Sequence, residues 1–117
     1  TTLFRSPFGS KFIQVDAKRN SVVALDENGN VYTWGDGSYY DLGHGQENKN
    51  INYPQKVEGL PKIVKVAKGK NHTLALDENG YVWGWGNNSS GELGNDLKGK
   101  VYIILPIYQP ELDSVQQ

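Results

Sequence analysis

The stretch Ala-Leu-Asp-Glu-Asn-Gly-Asn-Val-Tyr-Thr-Trp-Gly at residues 24–35 decides the fold, because the chain contains it twice. It returns at residues 75–86 as Ala-Leu-Asp-Glu-Asn-Gly-Tyr-Val-Trp-Gly-Trp-Gly, 51 residues later, with nine of the twelve positions identical. Internal similarity at a period near 50 residues is typical of a propeller blade or a supersecondary unit of similar size. We therefore expect the chain to be part of a repeat array, and such arrays usually bind other molecules rather than react with them.

Each repeat is predicted to contain four short strands. Residues 22–25 and 73–76 are short apolar runs, as expected of strands that are buried on both faces. An Asn-Gly pair follows each run and favours a hairpin turn into a strand rich in β-branched and aromatic residues, at 30–34 and 81–85. The other predicted strands are 12–15, 54–58 and 63–67. This pattern predicts an all-β fold of β-propeller-type blades, with two four-stranded antiparallel repeats forming a partial propeller.

The predicted domain organisation is one partial propeller over residues 1–117. Its two repeats of about 51 residues occupy about 12–62 and 63–114, with both ends cut at the same phase of the repeat. In repeat arrays each unit covers its neighbour, so two units leave apolar outer faces uncovered. We therefore expect this segment to associate with the rest of a parent propeller or with copies of itself.

Composition argues against several classes of partner. The net charge of −1 provides no bulk electrostatic attraction to nucleic acid or to an anionic membrane. The absence of cysteine excludes disulfides and thiolate metal sites. The longest apolar run, 101–107, is interrupted by Pro106 and is far shorter than the roughly 18–20 residues of a membrane helix. We therefore expect no membrane partner, no metal and no cofactor.

The residues that most resemble catalytic or metal-binding groups have structural interpretations. His72 precedes a predicted buried strand and is expected to be hydrogen-bonded there, whereas His44 lies in a Gly-flanked loop and is expected to be exposed. The two Asp-Glu-Asn-Gly segments place glycine fourth rather than sixth, which favours a hairpin turn over a calcium loop. No serine has a base and carboxylate in a recognisable arrangement, and no phosphate-binding glycine motif precedes a helix. The sequence therefore predicts that this chain is not an enzyme.

The second repeat resembles the regulator of chromosome condensation family. The similarity lies in the order Gly69-x-x-His-Thr-x-Ala-Leu, Gly80-x-Val-x-x-Trp-Gly and Gly91-x-Leu-Gly. The first repeat keeps Trp-Gly at 34–35 and Leu-Gly at 42–43. It departs from the pattern at three positions, with Lys18, Ser21 and Tyr40 where the second repeat has Gly69, His72 and Gly91.

This resemblance implies a seven-bladed propeller, of which the chain holds two blades. It also implies protein binding as the general role, which we take as the expected function. The alternative is that the segment belongs to a guanine nucleotide exchange factor acting on a Ran-like small GTPase. That is one activity of the family, but the repeats shared by all members do not carry it.

Tryptophans and lysines in the repeats have two interpretations each. Trp34 and Trp85 recur at the same position of the two repeats, so we expect equivalent buried sites between blades. The alternative is that they form a ligand-stacking platform. Trp83 is expected to face the side of the sheet opposite Trp85.

The run Lys62, Lys65, Lys68 and Lys70 suggests contact with nucleic acid or histones. Because acidic residues balance the charge and lysines often protect strand edges, we do not expect nucleic acid or histones as partners.

The candidate partner-binding residues lie in the loops that follow the third strand of each repeat. They are Asp36, Tyr39 and Tyr40 in the first loop, and Asn87 and Asn88 in the second. Paired tyrosines on a polar loop are effective interface anchors because they bring a large contact area at low entropic cost. In the alternative interpretation, the two tyrosines pack back onto the blade.

Overall fold

The chain forms two four-stranded antiparallel sheets. The computed structural model describes residues 9–37, 42–43 and 50–87, and the backbone of residues 100–108. The first sheet contains β1 (Phe12–Lys18), β2 (Ser21–Asp26), β3 (Val31–Gly35) and β4 (Ile51–Lys56). The second contains β5 (Ile63–Lys68), β6 (His72–Asp77), β7 (Val82–Asn87) and β8 (Lys100–Tyr108). The strands follow one another in chain order within each sheet, which confirms the predicted blades. No helix in the described part of the chain is long and apolar enough to cross a membrane.

The two Asp-Glu-Asn-Gly segments are hairpin turns held by their aspartates. The carboxylate Oδ1 of Asp26 accepts hydrogen bonds from the backbone N–H groups of Asn28 at 2.9 Å and Asn30 at 2.8 Å. Asp77 accepts equivalent bonds from Asn79 at 2.8 Å and Tyr81 at 2.9 Å. The glycine that follows each asparagine has a φ near +90°, as a tight hairpin requires. These carboxylates are occupied by their own turns, which confirms the hairpin interpretation.

The hydrophobic core lies between the two sheets. The first sheet and the segment after it contribute Val23, Leu25, Val31 and Val57, and the second contributes Ile63, Val66, Ala75 and Trp85. Trp85 is completely buried. Burial of a large aromatic side chain is among the strongest apolar contributions that one residue can make. The contact between the sheets therefore depends on Trp85, which packs towards the first sheet.

The first hairpin also joins the sheets through the backbone. The Ile63 N–H at the start of β5 donates a hydrogen bond to the Gly29 carbonyl at 3.0 Å. A Cβ at position 29 would lie 3.2 Å from the Ile63 nitrogen and would overlap the Lys62 side chain. Glycine at the turn therefore serves two needs, a positive φ and a close approach of the next repeat.

The two repeats use opposite faces of their sheets at this contact. The second sheet buries Val66 at 2% exposure, whereas the equivalent Val15 in the first sheet is 58% exposed. The first sheet buries Val23, Leu25 and Val31, while the equivalent residues of the second sheet are only half-buried: Leu74, Leu76 and Val82. The contact therefore joins opposite faces of the two equivalent sheets, and each sheet has one face that the other sheet does not cover.

This arrangement corrects two expectations about the tryptophans. Trp85 is buried as predicted, but Trp34 is only half-buried. It lies on the face of β3 that points away from the second sheet, the face on which Tyr32 is completely buried. Phe12 stacks on Trp34 with ring centroids 6.3 Å apart. The expectation that Trp83 faces away from Trp85 is wrong. Residues two apart on a strand share a face, and both tryptophans pack against the core between the sheets.

Gly69 and His72 form a matched pair, which explains two departures of the first repeat from the family pattern. A Cβ at position 69 would overlap the His72 imidazole ring. The first repeat has Lys18 and Ser21 at the equivalent positions, so the ring is absent where a side chain is present. The expected structural role of His72 therefore corresponds to packing of its ring against Gly69.

Candidate functional site

The two candidate loops leave equivalent points of the two sheets. Asp36 directly follows β3, and Asn87 is the last residue of β7, 51 positions later. The Asp36 N–H donates to the Asn20 carbonyl at 2.8 Å, and the Asn87 N–H donates to the Asn71 carbonyl at the same distance. Each bond ties the start of a loop to the turn between the first two strands of its sheet. Both loops therefore begin at the same end of their sheets, which we call the loop end.

The opposite end of the sheets carries different elements. It contains the Asn-Gly hairpins at 28–29 and 79–80 and the connection from β4 to β5 at 57–62. The loop end carries the turn at Arg19 and Asn20, where Arg19 has a φ of 54°. A left-handed backbone is uncommon for a residue other than glycine, asparagine or aspartate, and it makes this turn tight. The two ends are thus distinct surfaces that can be tested separately.

The described residues of the first loop, which follows β3, are held by buried contacts. Gly37 is buried, and the Thr33 hydroxyl donates a hydrogen bond to the Leu42 carbonyl within the buried interior. Leu42 is itself buried. Gly43 lies against the Trp85 indole, so that a Cβ there would come within 3.0 Å of Nε1. The first loop therefore reaches the contact between the two sheets at residues 42–43.

The structure describes two of the five candidate binding residues. Asp36 and Asn87 are both half-buried at the loop end. Tyr39, Tyr40 and Asn88 lie outside the described residues, as does His44. The assignment of these five residues to partner binding thus stays a prediction, supported by the shared position of Asp36 and Asn87.

Basic side chains stand beside the loops at positions outside the five predicted partner-binding residues. Lys18, the last residue of β1, is exposed at the loop end, as are Arg19 and Lys70 in the turns that follow β1 and β5. Arg19 and Lys70 are equivalent in the two repeats, since they are 51 residues apart. Their recurrence at this spacing is the signal that could have identified them.

The run of four lysines does not form one surface. Lys68 is buried, and its ammonium donates to the carbonyls of Gly69 at 3.1 Å and His72 at 3.2 Å. Lys62 lies in the connection at the opposite end, and Lys65 lies on the edge strand β5. Lys70 alone of the four is an exposed side chain at the loop end. This dispersal removes the observation that suggested a nucleic-acid or histone surface.

The buried acidic groups belong to the turns. Burial raises the pKa of the Asp26 carboxyl, but hydrogen bonds from the backbone of Asn30, from the side chains of Ser10 and Asn30, and from the backbone of Asn28 outweigh that effect. The pKa of Asp26 is therefore below its ordinary value. Within the described ranges, no group of His, Asp and Glu side chains is placed to hold a metal ion.

Comparison with known families places these features in context. Two family models, both described as the regulator of chromosome condensation (RCC1) repeat, match the chain. One matches residues 12–41 and 63–92, and the other matches residues 28–76. The first model thus recurs with the same period of 51 residues as the repeated stretch.

Relatives among characterised proteins are much longer than this chain. The chain is 43% identical over 89 residues to the human E3 ubiquitin-protein ligase HERC2, covering 74% of the chain and 2% of that protein. It is 44% identical over 82 residues to the guanine nucleotide exchange factor SRM1 of Saccharomyces cerevisiae, covering 65% of the chain and 16% of that protein. The chain therefore spans only a small part of these relatives.

Solved structures show the same fold at lower sequence identity. Prp20p of Saccharomyces cerevisiae, described with its binding properties to Gsp1p and histones, superposes with a TM-score of 0.82 at 18% identity, covering 92% of the chain and 28% of that protein. Human WBSCR16 superposes with a TM-score of 0.76 at 22% identity, covering 89% of the chain and 27% of that protein. At these identities the likeness concerns the fold alone.

Proposed function

Because the chain belongs to the regulator of chromosome condensation repeat family, we propose that it is a non-enzymatic module for binding another protein through its loop end. The binding residues in this proposal are Asp36, Tyr39, Tyr40, Asn87 and Asn88. The exposed cations of the neighbouring turns favour a partner whose contact surface is acidic.

One observation carries this proposal. The Asp36 and Asn87 N–H groups make the same 2.8 Å bond to the turn beside them, so two polar loops emerge side by side from adjacent sheets. Packed sheets supply a rigid base, and loops on a rigid base are where binding residues concentrate in folded domains. The sheets themselves are held by Trp85 and by its neighbours in the core, and the buried Leu42 ties the first loop to this base.

A specific alternative comes from the names of two relatives. SRM1 is a guanine nucleotide exchange factor, and Prp20p is described as binding Gsp1p. On this alternative, the partner is a Ran-like small GTPase and the chain is part of an exchange factor. The ligase activity named for HERC2 does not enter the proposal, because the match covers 2% of that protein.

Quantitative affinity capture tests the proposal. The bait is the full chain, compared with the triple variant Asp36→Ala, Tyr39→Ala, Tyr40→Ala and with the control variant Glu78→Ala. Glu78 is exposed in the hairpin at the opposite end. We expect a protein that the wild type and the control retain and that the triple variant loses. Equal recovery by all three baits would contradict the proposal.

A nucleotide-release assay tests the alternative. A Ran-like GTPase loaded with a fluorescent guanine nucleotide is mixed with the full chain, and release is followed over time. Acceleration above the spontaneous rate, reduced by the triple loop variant, would support exchange. The interaction proposal predicts the spontaneous rate, with or without GTPase binding.

A further inference from the structure

The two hairpin turns have the same sequence, Asp-Glu-Asn-Gly, but they differ in what covers them. Asn28 and Asn79 are both exposed. Gly29 is buried, and its carbonyl accepts the Ile63 N–H at 3.0 Å. Gly80, the equivalent glycine, is half-buried, and among the described residues no backbone N–H donates to its carbonyl. The second repeat therefore holds the first turn in a way that has no counterpart at the second turn within the described residues.

An asparagine that precedes glycine is open to a reaction with its own backbone. The glycine nitrogen loses its proton and attacks the asparagine Cγ, the new C–N bond closes a succinimide ring, and the side-chain nitrogen leaves as ammonia. Solvent water then opens the ring at either carbonyl and gives aspartate or isoaspartate. Glycine favours this reaction because it has no side chain to restrict the backbone. Asparagine counts among the thermolabile residues of proteins.

Both turns resist this reaction while they stay closed. The Gly29 N–H donates to the Asp26 carbonyl at 3.2 Å, and the Gly80 N–H donates to the Asp77 carbonyl at 3.1 Å. Ring closure takes the proton from that nitrogen, so each turn has to open before its asparagine reacts. The rate at each site therefore follows the free energy of local opening, which varies from one part of a protein to another.

Opening costs more in the first turn than in the second. It breaks the bond from the Ile63 N–H to the Gly29 carbonyl. It also lifts Gly29 away from the Lys62 side chain, which packs so closely that a Cβ at position 29 would overlap it. Deamidation of Asn28 is therefore coupled to the contact between the two repeats.

Two polar side chains of β1 hold β5 in the position from which Ile63 reaches the first turn. The Gln14 Nε2 donates to the Val66 carbonyl at 2.7 Å, and the Val66 N–H donates back to Oε1 at 2.9 Å. The Lys68 N–H donates to the Asp16 Oδ2 at 2.7 Å, and a charged acceptor strengthens such a bond. Removing these two side chains should loosen the first turn without changing any of its own residues.

We propose that Asn79 is a site of spontaneous deamidation in the folded chain, and that docking of the second repeat protects Asn28 from the same reaction. The product carries a new carboxylate, and an isoaspartate also lengthens the main chain of the turn by a methylene group. The Asp77 carboxylate cannot then keep both of its bonds to the N–H groups of residue 79 and Tyr81. Deamidation thus weakens the second hairpin and spares the first. This inference is independent of what the loops bind.

The rates at the two sites of the wild-type chain provide the first test. The full chain is incubated in neutral buffer, and the deamidated fraction at each asparagine is followed by peptide mass spectrometry. We expect Asn79 to react about fivefold or more faster than Asn28, the factor to which one lost hydrogen bond corresponds. In strong denaturant the two rates should converge, because both turns are then open. Equal rates in the folded chain, or a ratio that persists in denaturant, would overturn the proposal.

The second test loosens the contact between the sheets. The double variant Gln14→Ala, Asp16→Ala removes the polar contacts to β5, and the control Lys65→Ala changes the position equivalent to Gln14 in the second repeat. We expect the double variant to accelerate the reaction at Asn28 about twofold or more, as weaker docking implies, with Asn79 unchanged. The control should leave both rates as in wild type.

The circular dichroism spectrum shows whether the double variant is folded, and Gln14→Ala alone makes the same comparison if it is not. An unchanged rate at Asn28 in the folded variant would overturn protection by docking. So would an equal acceleration at both sites.

Discussion

The Asp16 carboxylate of the first sheet accepts the backbone N–H of Lys68 in the second sheet at 2.7 Å. This bond joins β1 of the first sheet to β5 of the second. The apolar faces of the two sheets meet around Trp85. The hydrophobic contact supplies most of the attraction between the sheets, since apolar burial is the dominant favourable term in folding. The polar contact adds direction, because hydrogen bonds require a defined alignment. Together they fix how one repeat sits on the next.

The two tryptophans should differ in their contribution to stability. Trp85→Ala removes a completely buried side chain from the contact between the sheets and should lower the free energy of unfolding by about 3–5 kcal/mol. Trp34→Ala should cost clearly less, because Trp34 is half-buried on a face that the second sheet does not cover. Chemical denaturation of both variants measures the difference. Equal losses would show that the two sites are energetically equivalent after all.

Gly69 and His72 should be energetically coupled. Gly69→Lys alone places a side chain against the imidazole and should cost about 1–3 kcal/mol, as is usual for overpacking. Adding His72→Ser reproduces the pair found in the first repeat and should recover part of that loss. A double-mutant cycle on the free energies of unfolding measures the coupling. Additive effects would show that the ring does not restrict position 69.

Asp26 should make stability depend on acidity. Its folded-state pKa is below the ordinary value of 3.8, so the carboxylate stabilises the fold above that pH, and the contribution is lost as the pH falls through the folded-state pKa. We expect wild type to be more stable than Asp26→Asn at pH 6, with the difference shrinking below about pH 4. Denaturation midpoints from pH 2.5 to 6 provide the test. A difference that is constant over this range would be at odds with the turn geometry.

The strands were predictable from the sequence because their signals are local. The apolar runs, the Asn-Gly turns and the period of 51 residues each constrain a few neighbouring residues, and β2 and β3 pair as predicted. Exposure was harder to predict, because it depends on which face a neighbouring sheet covers. Trp34 and Trp85 stand at equivalent positions of the two repeats, each before a glycine, yet only Trp85 is fully buried.

The contacts between repeats had no sequence signature. Gln14 and Asp16 are ordinary polar residues on a strand, and their role appears only when the edge of β5 is placed beside them. The packing of Gly69 against His72, which lies within the second repeat, is visible in the sequence because both residues are replaced in the first repeat. The candidate site was predictable as a pair of loops in phase, and its flanking cations could have been found by the same spacing.

The most direct test of the account is the affinity of the chain for the protein recovered by the capture experiment. Isothermal titration should compare wild type, the triple variant Asp36→Ala, Tyr39→Ala, Tyr40→Ala, and the opposite-end control Glu78→Ala. We predict that the triple variant raises the dissociation constant by roughly tenfold or more, as the loss of interface anchors does, with little change in melting temperature. The control should bind as wild type does. An unchanged dissociation constant for the triple variant, or a loss of binding that follows Glu78→Ala instead, would contradict the claim that the loop end is the binding surface.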